Sequence, residues 1–192
     1  MSNDQDYEKD YEKYGAPGDL ELVRSFVNTR DVDSGLDALD SPDGLAVWMS
    51  EHGLGRGEDL DEEDLETAIA FREGLRGLLV ANGGAELTAE ALEGVRRGAD
   101  WGTLRIAVDE RGRASQQPSC SGSGVLYARV LAIMAAAQER GEWERLKVCP
   151  ADDCAWAFYD RSRNRSRTWC SMEVCGNRAK TRAYRDRSRT GG

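Results

Sequence analysis

The sequence predicts an α+β chain in two parts. A mostly helical N-terminal domain contains a short β-hairpin, and a small C-terminal module consists of a β-hairpin and a helix. Three observations predict this. Apolar residues recur at three- and four-residue steps through most of Asp19 to Gly141, interrupted by one alternating stretch from Thr103 to Val108. Four of the five cysteines crowd into the last quarter of the chain. Charge is also segregated. The 192 residues carry −9 in total, but residues 145–192 hold 12 Lys/Arg against 5 Asp/Glu, leaving 14 against 30 elsewhere, so a +7 segment follows a −16 body.

Residues 1–18 contain the repeat Asp6-Tyr7-Glu8-Lys9 and Asp10-Tyr11-Glu12-Lys13 and end in Gly15-Ala16-Pro17-Gly18. High charge without an apolar pattern predicts a disordered acidic tail. The helical domain then runs over 19–141. Asp19 is a candidate cap for a helix carrying Leu20, Leu22, Val23, Phe26 and Val27. Asp31 to Asp40 reads as a loop. Ser41-Pro42 places a cap before a proline at the first helical position, Leu45, Trp48 and Met49 give the buried stripe, and Gly53 ends the helix. His52, the only histidine, reads as an exposed residue favoured by the helix C-terminus.

Asp61 to Ala81 is the strongest helical pattern, with Leu65, Ile69, Leu75, Leu78 and Leu79 on one side and Gly83-Gly84 after it. Thr88 begins another helix, running to about Arg97. Leu104, Ile106 and Val108 alternate before the turn Asp109-Glu110-Arg111-Gly112, which predicts a hairpin returning through Ala114. Val125 to Gln138 is apolar nearly all round and is expected to be the central buried helix. The linker after Gly141 is short, so the two parts are expected to be coupled. The apolar periodicity of 19–141 is self-contained, so that segment is also expected to fold without residues 142–192.

In the remaining segment, 142–192, four residues separate Cys149 from Cys154 and four separate Cys170 from Cys175, with fifteen residues between the pairs. Two close pairs joined by a hairpin-sized spacer suit a tetrahedral structural zinc site. Trp156, Phe158 and Tyr159 precede a basic loop, and Trp169 follows it, which reads as strand, loop, strand. Ser171 is a candidate cap for a helix to about Arg189, giving a treble-clef or ribbon-like zinc fold. Projected at 100° per residue, Arg178, Arg182, Arg185 and Arg189 fall within about 60° of one another. Met172, Ala179 and Ala183 fall on another face, suited to packing on the hairpin. Cys120 is left without a partner and reads as structural.

The run Ser162-Arg163-Asn164-Arg165-Ser166-Arg167-Thr168-Trp169-Cys170-Ser171-Met172 leads to Cys175-Gly176-Asn177-Arg178. Together with Ala179-Lys180-Thr181-Arg182-Ala183-Tyr184-Arg185, it resembles the CGNR zinc-finger family over roughly residues 146–189. Members carry an N-terminal ABATE domain. Phe26-Val27-Asn28-Thr29, Ser41-Pro42 and Leu45 to Trp48 are similar to it over about residues 19–140. The resemblance implies a stress-induced transcription regulator.

The residues themselves imply a polyanion partner, since a basic zinc module on an acidic body is an interaction signature. Duplex DNA is the expected partner. The expected contacts are Arg161, Arg163, Arg165 and Arg167 in the loop, and Arg178, Lys180, Arg182, Arg185 and Arg189 on the helix. Gly176 is expected to permit close packing beside the metal, and Asn177 to hydrogen-bond the loop, with a base edge as the alternative. A short module reads few base pairs, so a homodimer is expected. Two alternatives stay open. In one, Trp156, Phe158, Tyr159 and Trp169 stack on unpaired RNA bases. In the other, the module binds an acidic protein surface, including the chain's own N-terminal domain.

No Ser-His-Asp or Cys-His pair and no glycine-rich phosphate loop is present, and four thiolates leave a metal no open position, so no enzyme is expected. No apolar run reaches membrane-spanning length, and the acidic N-terminus does not read as a signal peptide. A cytoplasmic protein with reduced thiols is the expectation.

Overall fold

The computed structural model describes residues 15–55, 57 and 59–190; in the last helix it describes side chains as far as residue 182, and that of 185. The Asp6–Lys13 repeat lies outside the described residues. The elements are α1 (Leu20–Val27), β1 (Arg30–Asp31), β2 (Leu36–Asp37), α2 (Pro42–Glu51), α3 (Glu62–Asn82), α4 (Ala89–Trp101), β3 (Leu104–Val108), β4 (Ala114–Pro118) and α5 (Gly124–Glu139). A 3₁₀ turn (Trp143–Arg145), β5 (Leu146–Val148), β6 (Ala157–Tyr159), a π-turn (Met172–Gly176) and α6 (Asn177–Thr190) complete the chain. The strands form three separate antiparallel pairs, β1–β2, β3–β4 and β5–β6. The N-terminal region is mostly helical with short hairpins, and the C-terminal region is hairpin plus helix.

Local sequence signals set most helix starts. The Ser41 hydroxyl accepts the Gly44 N–H at 3.1 Å, with Pro42 behind it. Asp61 and Asp64 form a reciprocal capping box at the head of α3. Thr88 accepts from Ala91 N–H, and α4 continues to Trp101, a full turn beyond the expected end. Asp19 departs from expectation: its side chain makes no capping bond and instead pairs with Arg129 at 3.3 Å. The expected loop after Asp31 is also wrong, because its ends pair as the small β1–β2 ladder.

The core is one apolar cluster. Phe26 touches Trp48 and Phe71, with ring centroids 5.1 and 6.0 Å away, and Phe71 meets Tyr127 edge-on at 5.1 Å. α3 and α4 cross closely because glycines replace side chains: a Cβ on Gly94 would stand 2.4 Å from the Ala70 carbonyl oxygen. Ala16 is buried in this core and its N–H reaches Glu21 at 2.7 Å, so the predicted disordered tail does not extend over residues 15–18.

The core does not stop at residue 141. Trp143, Leu146, Val148, Ala157 and Tyr159 belong to the same buried cluster as α1, α3 and α5. Side chains fasten the shared layer. Asn28 exchanges two hydrogen bonds with the Ala157 backbone. Arg76 donates to the Ala155 and Val27 carbonyls, each at 2.7 Å. Asn82 donates to the Trp143 and Leu146 carbonyls, each at 2.9 Å. The bonds to Ala157 and Leu146 satisfy backbone groups on the outer edges of the short β5–β6 ladder, and the bond to Val27 caps a carbonyl at the end of α1.

Candidate metal centre and its arginine face

β5 and β6 deliver the first cysteine pair. The ladder extends one step past the strands, with Cys149 N–H donating to the Trp156 carbonyl at 2.9 Å. Between them the chain makes a knuckle in which Cys154 N–H donates to the Ala151 carbonyl at 2.9 Å and Ala155 takes φ of 51°. The second pair comes from the other end of the loop. Ser171 accepts from Val174 N–H at 3.3 Å, and the π-turn it opens carries Cys175 into α6.

The four sulfur atoms all lie within 4.8 Å of one another. Cys154 Sγ is 3.5 Å from Cys170 Sγ, which is 3.6 Å from Cys175 Sγ. A tetrahedron with metal–sulfur bonds of about 2.3 Å has edges of about 3.8 Å, so the cluster has the dimensions of one metal ion. Hydrogen bonds from Cys154, then Cys170, pull the Cys149 thiol far below its ordinary range, and its thiolate pushes Cys154 and Cys170 up. Four thiolates this close need a cation among them. Beneath them Phe158 is fully buried, with Trp156 and Trp169 packed alongside.

A buried ion pair organises the loop between the cysteine pairs. Lys147 Nζ lies 2.8 Å from Asp160 Oδ2 and also donates to the Arg165 carbonyl at 2.6 Å. Asp160 accepts the N–H groups of Ser162 and Arg167, both at 2.9 Å. Burial alone would raise the Asp160 carboxyl, but these bonds, Lys147 foremost, hold it down at about 2. Sequence reasoning missed both residues. An isolated Lys and Asp thirteen positions apart carry no local signal.

The predicted nucleic-acid contacts divide. Arg163, Lys180 and Arg185 are exposed, as expected. Arg161 is exposed but donates to the Gly15 carbonyl at 2.9 Å and lies over the Tyr159 ring. Arg165 donates to the Gly141 carbonyl at 3.1 Å and pairs loosely with Glu144. Arg167 is half-buried. Its guanidinium donates to the Trp169 and Cys170 carbonyls and lies over Phe158, 5.2 Å from the ring centre. These bonds tie it to the backbone around Cys170. On α6, Arg178 meets Asp33 and Asp153, each at 3.4 Å, and Arg182 meets Asp153 at 2.6 Å. The hydrogen bond to Asp33, then its charge, makes the Arg178 guanidinium hold its proton more strongly than usual. The Arg189 side chain lies outside the described residues.

Other expectations change in detail. Asn177 donates to the Glu173 carbonyl in the turn just before it, at 3.0 Å, and not to the loop. The space beside Gly176 is filled by the Met172 thioether, and Met172 is half-exposed instead of packing on the hairpin. His52 is not an exposed end residue. It stacks on Trp48 at 4.0 Å, with Nδ1 2.8 Å from the Trp48 carbonyl and Nε2 2.9 Å from the Ser25 hydroxyl. The free Cys120 sits half-buried near the Thr103 carbonyl. A cleft of ≈ 650 Å³, bordered by Trp48, His52, Trp156 and Arg178, separates α1 and α2 from the cysteine cluster.

A four-cysteine knuckle leading into an arginine-bearing helix, docked on a helical body, defines a protein of the zinc-finger class. Residues 145–188 match the CGNR zinc finger, and residues 20–139 match ABATE, described as "Putative stress-induced transcription regulator". The chain belongs to the ABATE family and carries a CGNR zinc finger after that domain. No curated protein matches it. No described helix is long and apolar enough to cross a membrane.

Proposed function

We propose that the chain is a DNA-binding transcription regulator whose C-terminal module is folded by one zinc ion on Cys149, Cys154, Cys170 and Cys175. Four sulfur ligands leave no position for substrate, so the metal is structural and the function is binding without a catalytic step. An all-sulfur tetrahedral donor set suits zinc, and the match to a zinc-finger family favours it over iron. A reducing cytoplasm suits these thiols.

One observation carries the DNA reading. The metal turn launches α6, and Arg178, Arg182, Arg185 and Lys180 stand along its first turns, with Arg163 at the exposed tip of the neighbouring loop. Cations on a rigid helix and loop match the phosphate backbone, with the helix sized for a major groove. Base stacking by RNA lacks its carriers, because Phe158 and Tyr159 are buried and Trp156 and Trp169 pack on the cysteine cluster. The N-terminal helical domain serves as the sensing or dimerising part, and a homodimer would supply a two-part site.

The test is titration of zinc-loaded protein with duplex DNA over a range of salt. About five neutralised phosphates give a log–log slope near −4.5. Salt-independent binding, or equal affinity for an uncharged competitor, removes nucleic acid as the partner.

A further inference from the structure

We propose that Asp33 is an internal competitor for DNA phosphate at Arg178, so that the N-terminal domain restrains the finger it carries. The inference rests on the DNA-binding reading above and adds its regulation.

Arg178 opens α6 three residues after the ligand Cys175. Its Nη1 is shared by two carboxylates: Asp153 of the cysteine knuckle, and Asp33, 145 residues away in the chain, each at 3.4 Å. A carboxylate offers a guanidinium the same pair of anionic oxygens as a phosphate does. Asp153 belongs to the finger and also holds Arg182, so it travels with the arginines. Asp33 belongs to the other part of the molecule, so DNA that takes Arg178 must release it.

Asp33 is held in place by its own hairpin. It lies in the turn between β1 and β2, where Asp31 Oδ1 accepts the N–H groups of Asp33 and Ser34 at 3.0 and 3.3 Å. The hairpin base is pinned by Arg72, which is almost wholly buried. Arg72 donates to both oxygens of Asp37, at 2.6 and 2.9 Å, and to Thr29 at 3.1 Å. The turn therefore reports the position of α3, the longest helix of the fold. The hairpin contributes little packing of its own: of its two large apolar side chains, Leu36 is 70% exposed and Val32 is only half-buried. What it presents to the finger is a carboxylate.

The contact is also weak enough to act as a restraint rather than a lock. Both partners are exposed and the separation is long, so screening by water and salt keeps its effect to a few-fold. A signal that shifts α3 or the hairpin needs only to withdraw Asp33 to raise the affinity of the finger by that factor.

The test uses full-length zinc-loaded protein and a mixed-sequence duplex at low salt. Asp33→Asn is expected to bind about two- to five-fold more tightly than wild type. Asp152→Asn removes the same charge from an exposed position within the knuckle, where no contact to Arg178 is made, and controls for long-range repulsion; it is expected to match wild type closely. In an Arg178→Gln background the gain from Asp33→Asn should vanish. If Asp33→Asn gains no more than Asp152→Asn, or gains equally without Arg178, the inference is overturned and the DNA reading stands. If neither wild type nor Asp33→Asn binds duplex, both are overturned.

Discussion

The Asn28 carboxamide and the Ala157 backbone form a closed pair of hydrogen bonds, Nδ2–H to the carbonyl at 3.0 Å and backbone N–H to Oδ1 at 2.7 Å, across 129 residues of chain. β6 has a strand partner on one edge only, and Asn28 occupies the other edge as a short stand-in for a strand. This ties the end of α1 to the cysteine module at one point. Asn28→Ala would leave both backbone groups in a half-buried site without protein partners. We expect a loss of about 1–3 kcal/mol in denaturant unfolding. An unchanged midpoint would show that water replaces the amide at no cost.

The shared core makes a second prediction about the boundary at 141. A fragment covering 19–141 lacks Trp143, Leu146, Val148, Ala157 and Tyr159, all buried against the helices. The sequence alone suggested that such a fragment folds by itself. The tertiary packing leads us to expect a lower, broader thermal transition than that of the whole chain, because apolar surface is returned to water. A fragment with the melting temperature of the full protein would contradict this.

Metal removal should reach beyond the finger for the same reason. We expect one zinc per chain, and chelation should cost the module most of its folding free energy, on the order of 10 kcal/mol. Near-ultraviolet signals from Trp156 and Trp169 should change first, followed by loss of helical signal as β5 and β6 leave the core. Metal analysis giving less than half an equivalent would refute the site.

The basic residues should separate into two groups. Arg163→Ala or Arg185→Ala should weaken duplex binding and flatten the salt slope by about one unit each, with the metal undisturbed. Arg167→Ala should instead lower metal affinity by about 10–100-fold, since its guanidinium orients the carbonyls around Cys170. If Arg167→Ala retains full metal affinity and loses only DNA, the bracing role assigned to it is wrong.

The Lys147–Asp160 pair gives a pH prediction. The Asp160 carboxyl is lowered from 3.8 to about 2 in the folded protein. A depressed carboxyl contributes stability that is fully present above the unfolded value and is lost as pH falls through the folded value. The stability difference between wild type and Asp160→Asn should therefore be level above about pH 4 and shrink between about 4 and 2. Lys147→Met leaves Asp160 buried without its cation and should cost about 3–5 kcal/mol. A difference that grows on acidification would reverse the assignment.

The sequence by itself determined what depends on near neighbours. Ser41 before Pro42, the apolar steps of α3 and the apolar run of α5 act within a few residues, so they were legible as pattern; the Asp61–Asp64 box at the head of α3 was not among them. The cysteine spacing was legible too, because two close pairs and a hairpin-sized spacer leave one compact way to gather four sulfur atoms. The tertiary structure alone decided what each charged side chain faces. Nothing in the local pattern separates Arg163, exposed at a loop tip, from Arg167 four residues on, bound to the carbonyls of Trp169 and Cys170. Nor does it place Asp33 beside Arg178, Asn28 beside Ala157, or His52 on Trp48. Helical and strand periods specify which face of an element is apolar. Which element arrives at the other face depends on packing across the whole chain, and for a charged group the arriving partner determines its role.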